Sequence, residues 1–202
     1  MALIFDTREA FLTEAAALCL DDVIMPVVEA SKFEFERPRF RISVGFPPNN
    51  RGGKTIAVCF VREASGDGVN EIFVNPTIDD PLHVLEAVAH ELIHAVDNCA
   101  SGHRNFFAHV ARKIGLEGKL TATVAGDKLA ATLREHIGLL GDFPHHKMNV
   151  NAGRKKGGTR MLKMKCRWDD CGFQFYTSAA QIERMNSHDC PACLEIDSLK
   201  HV

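Results

Sequence analysis

Between Pro81 and Asn98 the chain has no internal Gly or Pro, and Leu85, Val88, Ala89, Leu92, Ile93 and Val96 spread apolar side chains over a broad helical arc. That width predicts a helix covered by its neighbours on most sides. Asp79 or Asp80 ahead of Pro81 supplies a helix start, with Pro at the first helical position. An amphipathic pattern over Thr7 to Val28 predicts another helix, with Thr7 as cap and Glu9 in the first turn. Arg39 to Phe46, Thr55 to Arg62 and Glu71 to Asn75 predict three strands, with turn-forming residues at Asn49 to Gly53 and Ser65 to Gly68. Further on, Phe106, Phe107, Val110 and Ile114 give Asn105 to Ile114 one apolar side. Gly126 to Leu140 predicts a third helix after the strands, ending at Gly141. Leu120 to Thr123 carries no clear assignment, and Pro144-His145-His146 closes the region. A helix, three strands and then helices predict an α+β domain.

The Pro81–Asn98 helix carries unusual cargo. His90-Glu91-Leu92-Ile93-His94 puts two imidazoles on one helix face, one turn apart, at the separation that two ligands of one zinc ion need. Glu91 stands one residue round from the first of them, where a carboxylate can take a proton from water on the ion without binding the ion itself. A buried helix holds such groups only if something satisfies them. The bland alternative is a pair of hydrogen-bonded core histidines.

A catalytic zinc takes three protein ligands and keeps a fourth position open. The position six residues after His94 is Ala100, which excludes the metzincin spacing. His103 lies behind the turn signal Ala100-Ser101-Gly102, at the start of the next helical run, and is the expected third ligand. His109 is the alternative. Cys99 and Asp97 are weaker ones, and Asp97 is better placed to orient a ligand imidazole.

A second constellation lies near the C-terminus. Cys166 and Cys171 form one short-spaced pair and Cys190-Pro191-Ala192-Cys193 forms another, the pattern of a four-cysteine structural zinc ribbon. Phe173, Phe175 and Tyr176 predict a strand within it. A 202-residue chain suits one domain over residues 1–146, a basic linker over 147–160 and the ribbon over 161–202. A tail of that size has too little core of its own and needs a metal staple. Cys19, Cys59 and Cys99 sit in apolar contexts and are expected to be buried thiols. With no apolar run long enough for a membrane span and no leader-like N-terminus, the chain is expected to be cytoplasmic.

Charge divides with the domains. Residues 1–146 carry 14 Lys+Arg against 20 Asp+Glu, and residues 147–202 carry 10 against 6. Lys147, Arg154, Lys155, Lys156, Arg160, Lys163, Lys165 and Arg167 follow one another with no acid among them. Arg154, Lys155, Lys156, Arg160, Lys163, Lys165 and Arg167 are therefore the expected contacts to a phosphate backbone. The bland reading is a solvated linker.

The combination of His90-Glu91-xx-His94, Gly102-His103-xx-Phe106 and a basic segment leading into a four-cysteine ribbon resembles the SprT-like metallopeptidase family, which includes the eukaryotic Spartan proteases. The likeness covers about residues 40–195. It departs from the family at Arg104, where Gly is frequent, and in a step from His94 to His103 that is short beside the Spartan members. The resemblance implies a zincin fold, with His90, His94 and His103 holding a catalytic zinc and Glu91 as general base. It further implies DNA-dependent proteolysis of proteins crosslinked to DNA. Stabilisation of the oxyanion falls to His83, Arg104, His145 or His146, because the only Tyr, Tyr176, is in the ribbon. A non-proteolytic DNA-binding or adaptor protein, and a peptidase with no nucleic-acid role, are the other two readings.

Overall fold

The computed structural model describes residues 3–48, 55–153 and 161–202. The Asn49–Gly53 turn and the basic residues Arg154, Lys155, Lys156 and Arg160 lie outside them. The fold is α+β and divides into two compact units, Met1–Val150 and Asn151–Val202.

In the first unit α1 (Arg8–Leu18) starts at Thr7, whose Oγ1 accepts a hydrogen bond from the Ala10 N–H at 3.1 Å. The helical path continues to Glu29, but not as a single α-helix. Cys19–Ile24 forms a π-turn before α2 (Met25–Glu29). Pro26 is the physical reason. It has no N–H for the Asp22 carbonyl, and in an α-helix its ring would collide with that carbonyl. Wider bonding, such as Met25 N–H to the Leu20 carbonyl, makes room for it. One apolar stripe runs through all three segments, from Phe11, Leu12 and Ala15 to Leu20, Ile24 and Val28.

Three strands follow: β1 (Phe40–Val44), β2 (Ala57–Phe60) and β3 (Asn70–Val74). β3 is central, parallel to β1 and antiparallel to β2. Partners directly opposite share a face. Ile42 pairs with Ile72, Ala57 with Val74 and Cys59 with Ile72, so one face presents these side chains to the core.

That face meets α3 (Pro81–Val96), which also packs on α1, on α4 (Asn105–Ile114) and on α5 (Asp127–Leu140). Asp80 caps α3 through the His83 N–H at 2.8 Å. Ten residues of α3 are buried, Glu91 and His94 among them. Gly115 ends α4 in the left-handed region at φ 96. Between α4 and α5 the unassigned stretch is a hairpin, β4 (Leu116–Lys119) and β5 (Ala122–Ala125).

The second unit is an antiparallel sheet in the order β7-β6-β8, built from β6 (Met161–Cys166), β7 (Gln174–Ser178) and β8 (Leu199–His201). A short helix, α6 (Ala179–Glu183), begins in a capping box of Ser178 and Gln181. Its core is small: Met164, Cys166, Cys190 and Leu199. Among the described residues no helix is long and apolar enough to cross a membrane.

Candidate metal centres

His90 and His94 stand one turn apart on α3. His103 comes from the turn between α3 and α4. The positive φ values of Asn98 (54) and Cys99 (60), and of Gly102 (51), reverse the chain there and bring His103 back over the helix. The Nε2 atoms of His90 and His103 are 3.2 Å apart, and those of His94 and His103 are 3.3 Å apart. Two nitrogens on a tetrahedral zinc at about 2.0–2.1 Å stand about 3.3–3.4 Å from one another, so the three imidazoles are spaced for one ion. All three are held neutral. Burial brings His90 down to about 4, helped by His103, and His94 down to about 3, helped by His90 and His103. Burial lowers His103 as well. Neutral imidazoles offer lone pairs without first losing a proton.

Two neighbours set the orientation of this cluster. Phe107, fully buried on α4, stacks on the His94 ring at 4.3 Å and meets His90 and His103 edge-on at 4.8 and 5.0 Å. Thr123 on β5 places its Oγ1 2.8 Å from Nδ1 of His90. With the Nδ1 proton given to Thr123, the Nε2 lone pair faces the cluster. Sequence reasoning gave that orienting role to Asp97. The buried Asp97 instead accepts from the Ser101 N–H at 2.9 Å and bonds to no imidazole. It braces the turn that carries His103. His109, the alternative third ligand, points elsewhere and packs against Phe33 with ring centres 5.6 Å apart.

The histidines open onto a cavity of about 620 Å³. Thr55 and Ile56, with Ala57, Val58 and Cys59 of β2, line one part, and the β4–β5 hairpin supplies Thr121, Ala122 and Thr123. Glu91 lines it too. Burial, with Cys99 adding, pushes its carboxyl up to about 8, while a hydrogen bond from the Cys59 N–H pulls the other way. A carboxyl poised there can exchange a proton near neutral pH. Of the four candidates for oxyanion stabilisation, His83 alone is in the lining. His145 is engaged with Arg8 at 3.3 Å and with the Pro76 carbonyl at 3.0 Å.

The expectation of three buried thiols needs correction. Cys19 is fully buried, and burial pushes it up to about 12, with Asp22 adding. Cys59 and Cys99 are only half-buried and both line the cavity. Cys59 faces inward at the sheet's edge, and Cys99 is turned back toward it by the left-handed turn after α3.

In the second unit all four cysteine sulfurs lie within 4.8 Å of one another. Cys166 and Cys193 are 3.7 Å apart, and Cys171 and Cys190 are 3.6 Å apart. Sulfurs on a tetrahedral zinc at about 2.3 Å stand about 3.8 Å apart, whereas a disulfide needs about 2.0 Å. The spacing is that of one metal ion. At Cys190, burial works upward, but N–H groups of Cys193 and Ala192 and the Cys171 thiol outweigh it and bring the thiol to about 7. A thiolate is the ligand form.

Of the basic residues within the described part, Lys165 meets Asp169 at 3.1 Å and Arg167 lies 3.9 Å from Asp197. Lys163 pairs across the sheet with Tyr176, and Lys165 with Gln174 and Lys200, so these residues share a face. Tyr176 is 62% exposed on it.

Comparison with protein-family models, with curated proteins and with solved structures finds no match.

Proposed function

We propose that this chain is a zinc-dependent endopeptidase of the SprT-like kind, acting on proteins held on DNA. One observation carries the reading: three neutral imidazoles spaced for a single ion share a cavity with a buried carboxyl on the same helix. His90, His94 and His103 would hold the metal, with Cys166, Cys171, Cys190 and Cys193 holding a second, structural ion. A zinc ion held there would supply Lewis-acid polarisation of a substrate carbonyl and acidify a water molecule.

The chain's own groups do the rest. Glu91 accepts a proton from the attacking water and returns it to the leaving amine. Thr123 fixes the His90 ring. Phe107 closes the apolar side and excludes water beneath the imidazoles. Among the described residues β2 has a partner on only one side, so an extended peptide can add to its free edge above Glu91.

The nucleic-acid part rests on the basic run from Arg154 to Arg167 and on the ribbon face where Lys163, Lys165 and Lys200 flank an exposed aromatic ring. Lysines meet phosphates, and a ring stacks on a base.

The test is zinc per chain for the wild type and for His90→Ala, followed by peptide cleavage with and without DNA. Two zincs falling to one, with DNA-stimulated cleavage lost in Glu91→Gln while zinc is retained, is the expected result. One zinc unchanged by His90→Ala would overturn the peptidase reading in favour of a DNA-binding protein. Cleavage indifferent to DNA and to charge reversal at Lys155 and Lys156 would remove the nucleic acid from the proposal.

A further inference from the structure

We infer that Cys59 and Cys99 form a redox-active thiol pair in the wall of the cavity, a modification site that a peroxide converts to a disulfide. The two residues are 40 positions apart, yet the Cys99 sulfur lies 3.7 Å from the Cys59 carbonyl oxygen. The neighbouring thiol pushes Cys59 up and brings Cys99 down. Neither is buried like Cys19, and neither belongs to the four-sulfur cluster of the second unit. Both line the 620 Å³ cavity, so a small oxidant reaches them through its mouth.

The pair is held from both sides. Asn98, next to Cys99, accepts through its side-chain oxygen from the Arg62 N–H at 2.7 Å and from Asn70 at 3.1 Å, and donates to Glu63 at 3.0 Å. Asn70 is fully buried and also donates to the Phe60 carbonyl at 2.9 Å. This network ties the turn after α3 to the end of β2, and so ties Cys99 to the strand that carries Cys59. Two thiols kept adjacent by other bonds lose little conformational freedom when they join.

The chemistry balances with hydrogen peroxide as the oxidant. The Cys99 sulfur attacks one peroxide oxygen, a sulfur–oxygen bond forms, the oxygen–oxygen bond breaks and water leaves. The Cys59 sulfur then attacks the Cys99 sulfur. A sulfur–sulfur bond forms, the sulfur–oxygen bond breaks and a second water leaves. The two thiols lose two electrons and the peroxide gains them. The link bears on the site because the Cys59 N–H donates to Glu91. Drawing Cys59 toward Cys99 shifts that donor. This effect on turnover, unlike the link itself, rests on the peptidase reading.

The experiment uses the full zinc-loaded chain. It is exposed to hydrogen peroxide, its free thiols are alkylated without reduction, and its peptides are mapped by mass spectrometry. The expected result is that Cys59 and Cys99 leave the alkylated pool together, joined in one cross-linked peptide pair, and return together on reduction with dithiothreitol. C99S and C59S should each abolish the link. The link needs no substrate, so a chain without peptidase activity still shows it. If the chain does cleave peptides, cleavage should fall in step with the linked fraction and recover on reduction. Cys99 oxidised alone, or both thiols still alkylated after peroxide, would overturn the pair without touching the metal-site reading.

Discussion

Thr123→Val removes one hydrogen bond from the histidine cluster and little else. The hydroxyl is 2.8 Å from Nδ1 of His90, and its loss leaves a half-buried N–H without a partner. Valine keeps the branched shape and the strand preference, and the backbone pairing of Thr123 with Gly118 does not depend on the side chain. The fold should therefore survive. Loss of a partner that orients a metal-bound imidazole weakens metal affinity by about 10–100-fold, or about 1.4–2.7 kcal/mol. That matches the cost of about 1–3 kcal/mol for stranding a buried donor. Competition with a chromophoric zinc chelator measures the affinity. The four-cysteine site, which Thr123 does not touch, is the internal reference. Loss confined to the histidine site is the expected outcome. Wild-type affinity at that site would refute the assignment of Thr123 as the group that sets the His90 tautomer.

With metal stripped by a chelator, the first unit should be most stable near pH 6.5. His90 and His94 titrate at about 4 and about 3 in the fold against 6.5 unfolded, so their contribution is complete above 6.5 and is lost as pH falls. Glu91 titrates at about 8 against 4.5, so its contribution is complete below 4.5 and is lost as pH rises to 8. Between 6.5 and 8 the Glu91 loss, at most about 1.4 kcal/mol per pH unit, outruns the fading histidine gain, so the net slope from these groups is negative. Melts followed by helical circular dichroism should show a decline over that range in the wild type that Glu91→Gln lacks, and equal slopes would refute it. Gly115→Ala should cost about 1–2 kcal/mol, because φ 96 strains any side chain and the new carbon would sit 3.4 Å from the Leu129 Cβ. An unchanged denaturant midpoint would count against the left-handed cap. Chelation should also loosen the ribbon, whose core is only a few residues, and change the emission of Trp168, the sole tryptophan, while the helical signal persists. Constant emission after verified zinc loss would mean that the ribbon holds together without metal.

Much was legible in the sequence where the information is local. Helix periodicity alone places His90 and His94 on one face, and the Asp80-Pro81 start and Gly141 stop are residue-level signals that the structure repeats. The cysteine knuckles are equally local, since each turn holds its pair within a few residues. The π-turn at Cys19–Ile24 was the miss of this kind, although Pro26 was the signal for it.

Long-range pairing was another matter. Nothing in the strand patterns says that β3 lies between β1 and β2, because alternation defines a face and not a neighbour. The short β4–β5 strands have no strong alternation, so neither the hairpin nor Thr123 against His90 could be foreseen. His103 and His109 were both within reach along the chain. The left-handed turn at Asn98 and Cys99 and the packing of α4 separated them, sending His103 to the cluster and His109 to Phe33. The same turn moved Cys99 from an expected core position to the cavity wall, and the place of β2 beside β3 put Cys59 there too. By itself, then, the sequence determined which residues could be ligands and which elements carry them, because those follow from backbone period and cap chemistry. Tertiary structure decided which candidates meet, because closing the turns and packing the helices select one set of distant contacts among many that local geometry allows.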